Sequence, residues 1–201
     1  MRVSGMEVLS WYRTSGVQVG LSARELGGVA ADRQDAGPVT SRAGFEAFYR
    51  REYAAVVALA YALCGRGGAA EDLAQEAFLA TYQRWAQVGR YDQPGAYVRH
   101  VVANMAVSYG RRRAAEGRAL IGLAGRAASS VDDLEPPDAA FWRMVRSLPP
   151  RQAQSVALFY LEDRSAEEIA GILHCSVSTV RVHLHRGRIT LEERLRDGSH
   201  S

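Results

Sequence analysis

Apolar residues recur at helical spacing in discrete blocks along the chain, and glycine-rich or polar stretches separate the blocks. Phe45, Phe48, Tyr49, Tyr53, Val56, Val57, Ala60 and Leu63 predict a first amphipathic helix. The glycines of "CGRGG" (64–68) end it, because glycine supplies the backbone angles of a helix terminus. "AAEDLAQEAFLATYQRWAQV" (69–88) predicts a second helix, with Leu73, Ala77, Ala80 and Trp85 near one face. "GRYDQPG" (89–95) reads as a loop. "AYVRHVVANMAVSYGRRR" (96–113) reads as a third helix, apolar at Val98, Val101, Val102, Met105 and Tyr109. Between about 114 and 138 the periodicity fails. "RAASSVDDLEPPDAA" (126–140) sets Asp132, Asp133, Glu135, Asp138 and two prolines against one arginine, which is linker composition. Helical spacing returns near Ala139, breaks at "LPP" (148–150), and resumes through Ala153, Val156, Ala157 and Tyr160. Residues 1–41 show no sustained pattern and are expected to be a poorly ordered extension.

The last block predicts two short helices joined by a tight bend. Ser165 and Glu168 form a Ser-x-x-Glu capping box for the first of them. Ile169, Ala170 and Leu173 face inward, with Ala170 small where the next helix must cross. Ser176 is placed to cap the second helix, and Val177, Val180 and Leu184 give it a core face. His174 stands at the bend and requires a left-handed backbone or a slightly different turn. Ser178, Thr179, Arg181, Val182, His185, Arg186 and Arg188 are left on the outer side. Short polar groups followed by arginines suit a helix laid into the major groove of DNA. From Ser176 to Arg196 five arginines oppose two glutamates, a local net of +3 that equals the charge of the whole chain. A solvated face on the last hairpin of a bundle is the plainer alternative; spacing, cap and local charge together favour DNA.

Composition narrows the classes further. With 201 residues, 47% of them hydrophobic, the chain can bury one medium core or two small ones. A pI near 9.1 is only mildly basic and alone implies no nucleic acid. All 25 basic residues are arginine, the side chain better suited to bidentate phosphate and guanine contacts. Cys64 and Cys175 are too isolated for a disulfide framework or a four-ligand zinc site. His174, Cys175, His183 and His185 do not complete a metal shell, since residues two apart on a helix point in different directions. No metal or cofactor is expected. Phosphate loop, nucleophile elbow and paired catalytic carboxylates are absent, so no enzymatic activity is expected. Without a membrane-length apolar run or a signal-peptide core, the chain is expected to be cytoplasmic, with no membrane insertion.

Taken together, "EDLAQEAFLATYQRW", "PGAYVRHVVANMAVSYGRRR" and "LPPRQAQSVALFYLEDRSAEEIAGILHCSVSTVRVHLHRGR" resemble the extracytoplasmic-function (ECF) sigma factors, promoter-specificity subunits of bacterial RNA polymerase, over roughly residues 43–196. The resemblance implies an all-α fold of two small helical domains joined by a flexible acidic linker, the C-terminal one a helix-turn-helix. Region 2 would span 42–113, the linker 114–138 and region 4 139–197. It implies core RNA polymerase and promoter DNA as partners, and leaves an anti-sigma factor open. Glu71, Asp72, Gln75 and Glu76 would meet the polymerase clamp, while Leu73 and Phe78 pack inside. Tyr91, Asp92 and Gln93 in the loop, with Tyr97 and Asn104 on the helix, would hold the minus-ten element. Arg99, Arg111, Arg112 and Arg113 would contact its phosphates; from Arg99 to Arg118 five arginines oppose one glutamate, a net of +4. The outer residues of the last helix would read the minus-thirty-five element. Tyr97, Ser108, Val182 and His183 depart from the residues common in the family, which are Trp, Asp, Ser and Arg. Linker acids 132–138 suit either a nucleic-acid mimic in the polymerase cleft or a plain solvated tether. A stand-alone dimeric helix-turn-helix regulator is the rival reading; it explains 165–188 but not the acidic helix or the arginine-ended third helix.

Overall fold

The structure, a computed structural model, describes residues 40–123 and 139–198, and among these there is no strand. Residues 1–39 and 124–138, which include the acidic stretch of the linker, lie outside the described residues.

Helix α1 (Arg42–Cys64) begins where the Ser41 hydroxyl accepts the Gly44 N–H at 3.1 Å. It ends where Gly65 turns left-handed (φ 79°) and donates its N–H to the Tyr61 carbonyl. A short turn leads into α2 (Gly67–Gln83), followed by one turn of helix, α3 (Trp85–Val88), and the long α4 (Pro94–Leu123). α1, α2 and α4 pack on one another around Phe48, Val56, Leu59, Phe78, Val98 and Val102. Ala70, Ala74 and Ala77 line the buried face of α2 and let its neighbours approach closely. The Trp85 ring stacks 4.9 Å from Phe48, and its indole N–H donates to the Ser41 carbonyl.

Two boundaries differ from the pattern-based expectation. The helix expected over 69–88 is broken at Arg84, next to a buried Thr81 whose hydroxyl donates back to the Ala77 carbonyl at 2.7 Å. Such back-bonding competes with the regular helix. The third helix starts at Pro94, a residue suited to a first turn, and runs to Leu123, ten residues past Arg113. Its extension, "AAEGRALIGL", carries three Ala and two Leu, which favour helix, against two Gly, which do not.

In the second domain α5 (Ala139–Arg146), α6 (Pro150–Leu161), α7 (Ala166–Leu173) and α8 (Val177–Gly198) enclose Phe141, Trp142, Val145, Leu158, Ile169, Leu173, Val180 and Leu191. Both arms of the capping box form: Glu168 N–H to Ser165 Oγ at 3.1 Å, and Ser165 N–H to Glu168 Oε2 at 2.8 Å. His174 takes the left-handed conformation (φ 52°, ψ 52°), and the Ser176 hydroxyl caps α8 through the Thr179 N–H. Ala170 is buried as expected, but a closer approach occurs at Gly187, where an added Cβ would lie 2.9 Å from Val156 Cγ2.

The two domains touch. α1 packs against α5 and α6, while α4 packs against α7 and α6.

Replacing Gly187 by Ala should overpack the α6–α8 crossing and cost about 1–3 kcal/mol in urea denaturation. Gly171 on α7 has open space around it, so Gly171→Ala should stabilise by roughly 0.5–1 kcal/mol in the same assay.

Candidate functional site

Three surfaces carry the residues singled out in the sequence. On α2, Glu71, Asp72, Gln75 and Glu76 are exposed, with Leu73 half-buried and Phe78 buried. The same face continues through Leu79 and Tyr82, which are 57% and 47% exposed. Both fall off the buried row of Ala70, Ala74, Ala77 and Thr81, which was the available signal that they are not core residues. The surface is thus acidic at its start and apolar at its end.

On α8, Ser178, Arg181, Val182, His185 and Arg186 are exposed, and Ile189 extends the row. Arg181 reaches Glu167 at 3.3 Å across the bend, both side chains remaining largely in solvent. Thr179 and Arg188 are half-buried instead. The Thr179 hydroxyl sits 2.7 Å from that of Ser176, inside the cap. Arg188 donates to the Tyr160 hydroxyl at 2.8 Å and lies 5.0 Å from the Phe159 ring centre, so it fastens α8 to α6. Burial, and then the charges of Arg151 and Arg186, hold His183 below the ordinary imidazole range.

The third surface is α4 with the turn before it. Tyr91, Asp92 and Gln93 are exposed at one end, and Arg111, Arg112 and Arg113 at the other. Tyr97 is half-buried and its hydroxyl accepts from Arg84 at 3.3 Å. Between these ends the expectation of an open face fails. Arg99 is only 3% exposed. Its Nη1 donates to Glu52 Oε2 at 2.7 Å and to the Gly95 carbonyl at 3.1 Å, and its Nε donates to Glu162 Oε2 of the second domain. Burying a guanidinium requires such partners. Gly95 makes the arrangement fit, since a Cβ there would stand 2.8 Å from Arg99 Nη1. Burial alone would raise the Glu52 carboxyl, but the hydrogen bonds and charges of Arg99 and Arg51 outweigh it and lower the pKa. Glu162 is also 3.4 Å from Arg164, which in turn donates to Glu168 at 2.9 Å.

Asn104 is engaged as well. Gln154 of α6 donates from Nε2 to the Ala103 carbonyl at 3.1 Å and to Asn104 Oδ1 at 3.0 Å, while its Oε1 accepts from Arg151. The Asn104 amide nitrogen lies 3.1 Å from His100 Nε2, and His100 Nδ1 lies 2.7 Å from the Ile172 carbonyl. A carbonyl only accepts, so Nδ1 carries the hydrogen and Nε2 accepts from Asn104. The relay therefore has one direction and requires a neutral His100. Glu52, His100, Gln154 and Glu162 were not picked out from the sequence. Gln154 did carry a signal: it is polar four residues before the buried Leu158.

Among the described residues no group of three or more His, Cys, Asp or Glu could hold a metal ion, and no helix is long and apolar enough to cross a membrane.

An all-helical pair of domains, the second a helix-turn-helix with an exposed basic face, defines a DNA-binding protein of the helix-turn-helix class. Comparison with known proteins narrows this. The model of sigma-70 region 2 matches residues 48–116, and that of sigma-70 region 4 matches residues 138–191. The RNA polymerase sigma-E factor of Streptomyces avermitilis is 30% identical over 151 residues, 75% of this chain and 84% of that protein. The ECF RNA polymerase sigma factor SigW of Bacillus subtilis is 28% identical over 153 residues, 69% and 82% of the two chains. The sigma factor RpoE of Bartonella quintana, solved in complex with the anti-sigma factor NepR, shares the fold with a TM-score of 0.58 at 22% identity, over 76% of this chain and 97% of that one. The chain belongs to the sigma-70 family of RNA polymerase sigma factors, in its extracytoplasmic-function type. The region 2 match covers the half that a stand-alone dimeric regulator left unexplained, and that reading is not favoured.

The relay has a pH signature. Burial, then the nearby charges of His174 and Arg151, lower the His100 pKa against the opposing effect of its bond to the Ile172 carbonyl. A histidine lowered on folding contributes stability that is present above its unfolded pKa, about 6.5, and is lost as pH falls below it. The urea midpoint should therefore drop between about pH 8 and pH 5.5, and drop less in His100→Gln, where no imidazole titrates at this point.

Proposed function

We propose that this sigma factor divides its work among the three surfaces. The acidic–apolar face of α2, with Glu71, Asp72, Gln75 and Glu76 continued by Leu79 and Tyr82, binds the coiled coil of the polymerase clamp. Carboxylates at its start suit arginine-rich partner helices, and the two exposed apolar side chains gain from leaving water. The exposed row of α8, Ser178, Arg181, Val182, His185 and Arg186, with Thr179 and Arg188 setting its position, reads the minus-thirty-five element in the major groove. Tyr91, Asp92, Gln93, Tyr97, Arg99, Asn104 and Arg111–Arg113 hold the minus-ten strand as the duplex opens. Region 2 would span 42–113, the linker 114–138 and region 4 139–197. The observation that carries the reading is the pairing of an exposed acidic–apolar helix in one domain with an exposed arginine-bearing recognition helix in the other. In this scheme the chain has no catalytic activity of its own and works in the cytoplasm, where polymerase supplies the chemistry. The Bartonella sigma factor was solved bound to an anti-sigma factor, and a protein of that class is a further proposed partner.

Run-off transcription with bacterial core polymerase and a genomic promoter library tests the reading as a whole; no promoter-specific transcript above core alone would refute it. Reversing Asp72 and Glu76 to Arg should abolish co-elution with core polymerase while circular dichroism stays unchanged. Arg181→Ala or Arg186→Ala should weaken duplex promoter binding. Loss of a bidentate base contact costs about 1–3 kcal/mol and relaxes specificity at one position, whereas loss of a phosphate contact weakens all sequences alike and lowers the salt slope.

A further inference from the structure

The exposed row of α8 holds one aliphatic side chain, Val182, in the middle of an otherwise polar and basic surface. We infer that Val182 is a specificity-determining residue, which reads the 5-methyl group of a thymine in the upstream promoter element by apolar contact in the major groove. The inference rests on the minus-thirty-five role proposed for α8 and deepens it by naming the base.

Folding does not call for a valine here. The buried row of α8 runs through Val180, Leu184, Gly187 and Leu191. Val182 is two residues from both Val180 and Leu184, about 200° around the helix, so it projects away from the core. Its exposure is 44%. Helix propensity does not favour it either, because a β-branched side chain loses χ1 freedom against the preceding turn. The same stiffness suits a reader of shape: one rotamer dominates for valine in a helix, so its two methyl groups stand in a fixed place.

The surroundings leave that surface open. Ser178, one turn earlier, has its hydroxyl 2.8 Å from that of Ser176 and is drawn into the cap. Arg181 leans back across the bend to Glu167 at 3.3 Å. One turn later, His185 and Arg186 are exposed. A small apolar patch bordered by cationic and polar groups matches a DNA groove, where phosphates flank the base edges. Of the four bases, thymine alone displays a methyl group in the major groove. The other edges offer only donors and acceptors, which valine cannot satisfy and would strip of water. Ile189 provides an internal comparison. It is 42% exposed and equally apolar, but it stands about 10 Å further along α8, past the N-terminal part of a recognition helix that reaches base edges.

The test uses holoenzyme reconstituted from the full chain and bacterial core polymerase, on promoter duplexes with a randomised upstream segment. Bound duplexes are sequenced for the parent, Val182→Ala and Ile189→Ala. The parent and Ile189→Ala should enrich a thymine at one upstream position, and Val182→Ala should lose that enrichment while keeping the others. The selected duplex is then remade with deoxyuridine in place of that thymine, which deletes the methyl group and keeps every hydrogen-bonding group. At one fixed salt the replacement should weaken binding of the parent and of Ile189→Ala by roughly fourfold, the scale of one buried methyl group. Val182→Ala and Val182→Ser should bind the two duplexes alike. A parent indifferent to uracil at every enriched thymine overturns the inference, and so does a Val182→Ala holoenzyme that still senses the methyl group. Loss of co-elution of Val182→Ala with core polymerase also overturns it, since the side chain would then face protein. Failure of the underlying reading shows separately. A parent chain that does not co-elute with core refutes the sigma-factor role, and a parent holoenzyme that enriches no upstream base refutes the minus-thirty-five role of α8.

Discussion

A single buried cation sets much of the geometry. Removing a guanidinium from water costs several kcal/mol unless oppositely charged groups meet it, and Arg99 is met from two directions. Glu52 reaches it from α1, which fixes how α1 and α4 lie against each other. Glu162 reaches it from the end of α6, which fixes how the second domain sits on the first. The space for the charged head exists because residue 95 has no side chain. Gly95, Glu52 and Glu162 are thus three consequences of one constraint.

Helix α4 consequently has three different jobs along its faces. Val98, Val102, Ala103 and Ala106 fill the first domain's core. Arg99, His100 and Asn104 form the polar seam, and Arg111–Arg113 stand in solvent beyond it. The seam has a direction as well as a composition: Gln154 donates to Asn104, Asn104 to His100, and His100 to the Ile172 carbonyl. A slip of one residue along α4 would carry Arg99 away from both carboxylates and break the relay, so polar pairing helps to set the register.

The parts legible in the sequence are those that short-range chemistry decides. The capping box at Ser165, the Ser176 cap and the buried Val180 and Leu184 all follow from spacings of a few residues, whereas the sequence left two turns open at His174 and the structure takes the left-handed one. The acidic start of α2 and the exposed row of α8 follow from the same periodicity, read on its polar side. What the pattern could not supply was partnership at a distance. Arg99 lies three residues before Val102 and four before Ala103, so its position on the buried side was readable, yet nothing local connects it to Glu162, 63 residues away. Helix α4 runs on to Leu123 through Gly117 and Gly122, a continuation that neither the apolar stripe nor propensity signalled. Ala170 drew attention as a small residue at a crossing, whereas Gly187 depends on where Val156 projects from α6, which only the packed structure reveals.

The buried charges are also apportioned between the halves of the molecule. Arg99 has Glu52 within its own domain, and Glu162 has Arg164 within its own. If the domains part, neither half is left holding an ion without a counter-ion; each exchanges a shared partner for the one it already owns. Separation would thus redistribute charge without stranding it, and what holds the halves together is the apolar core that runs through both of them.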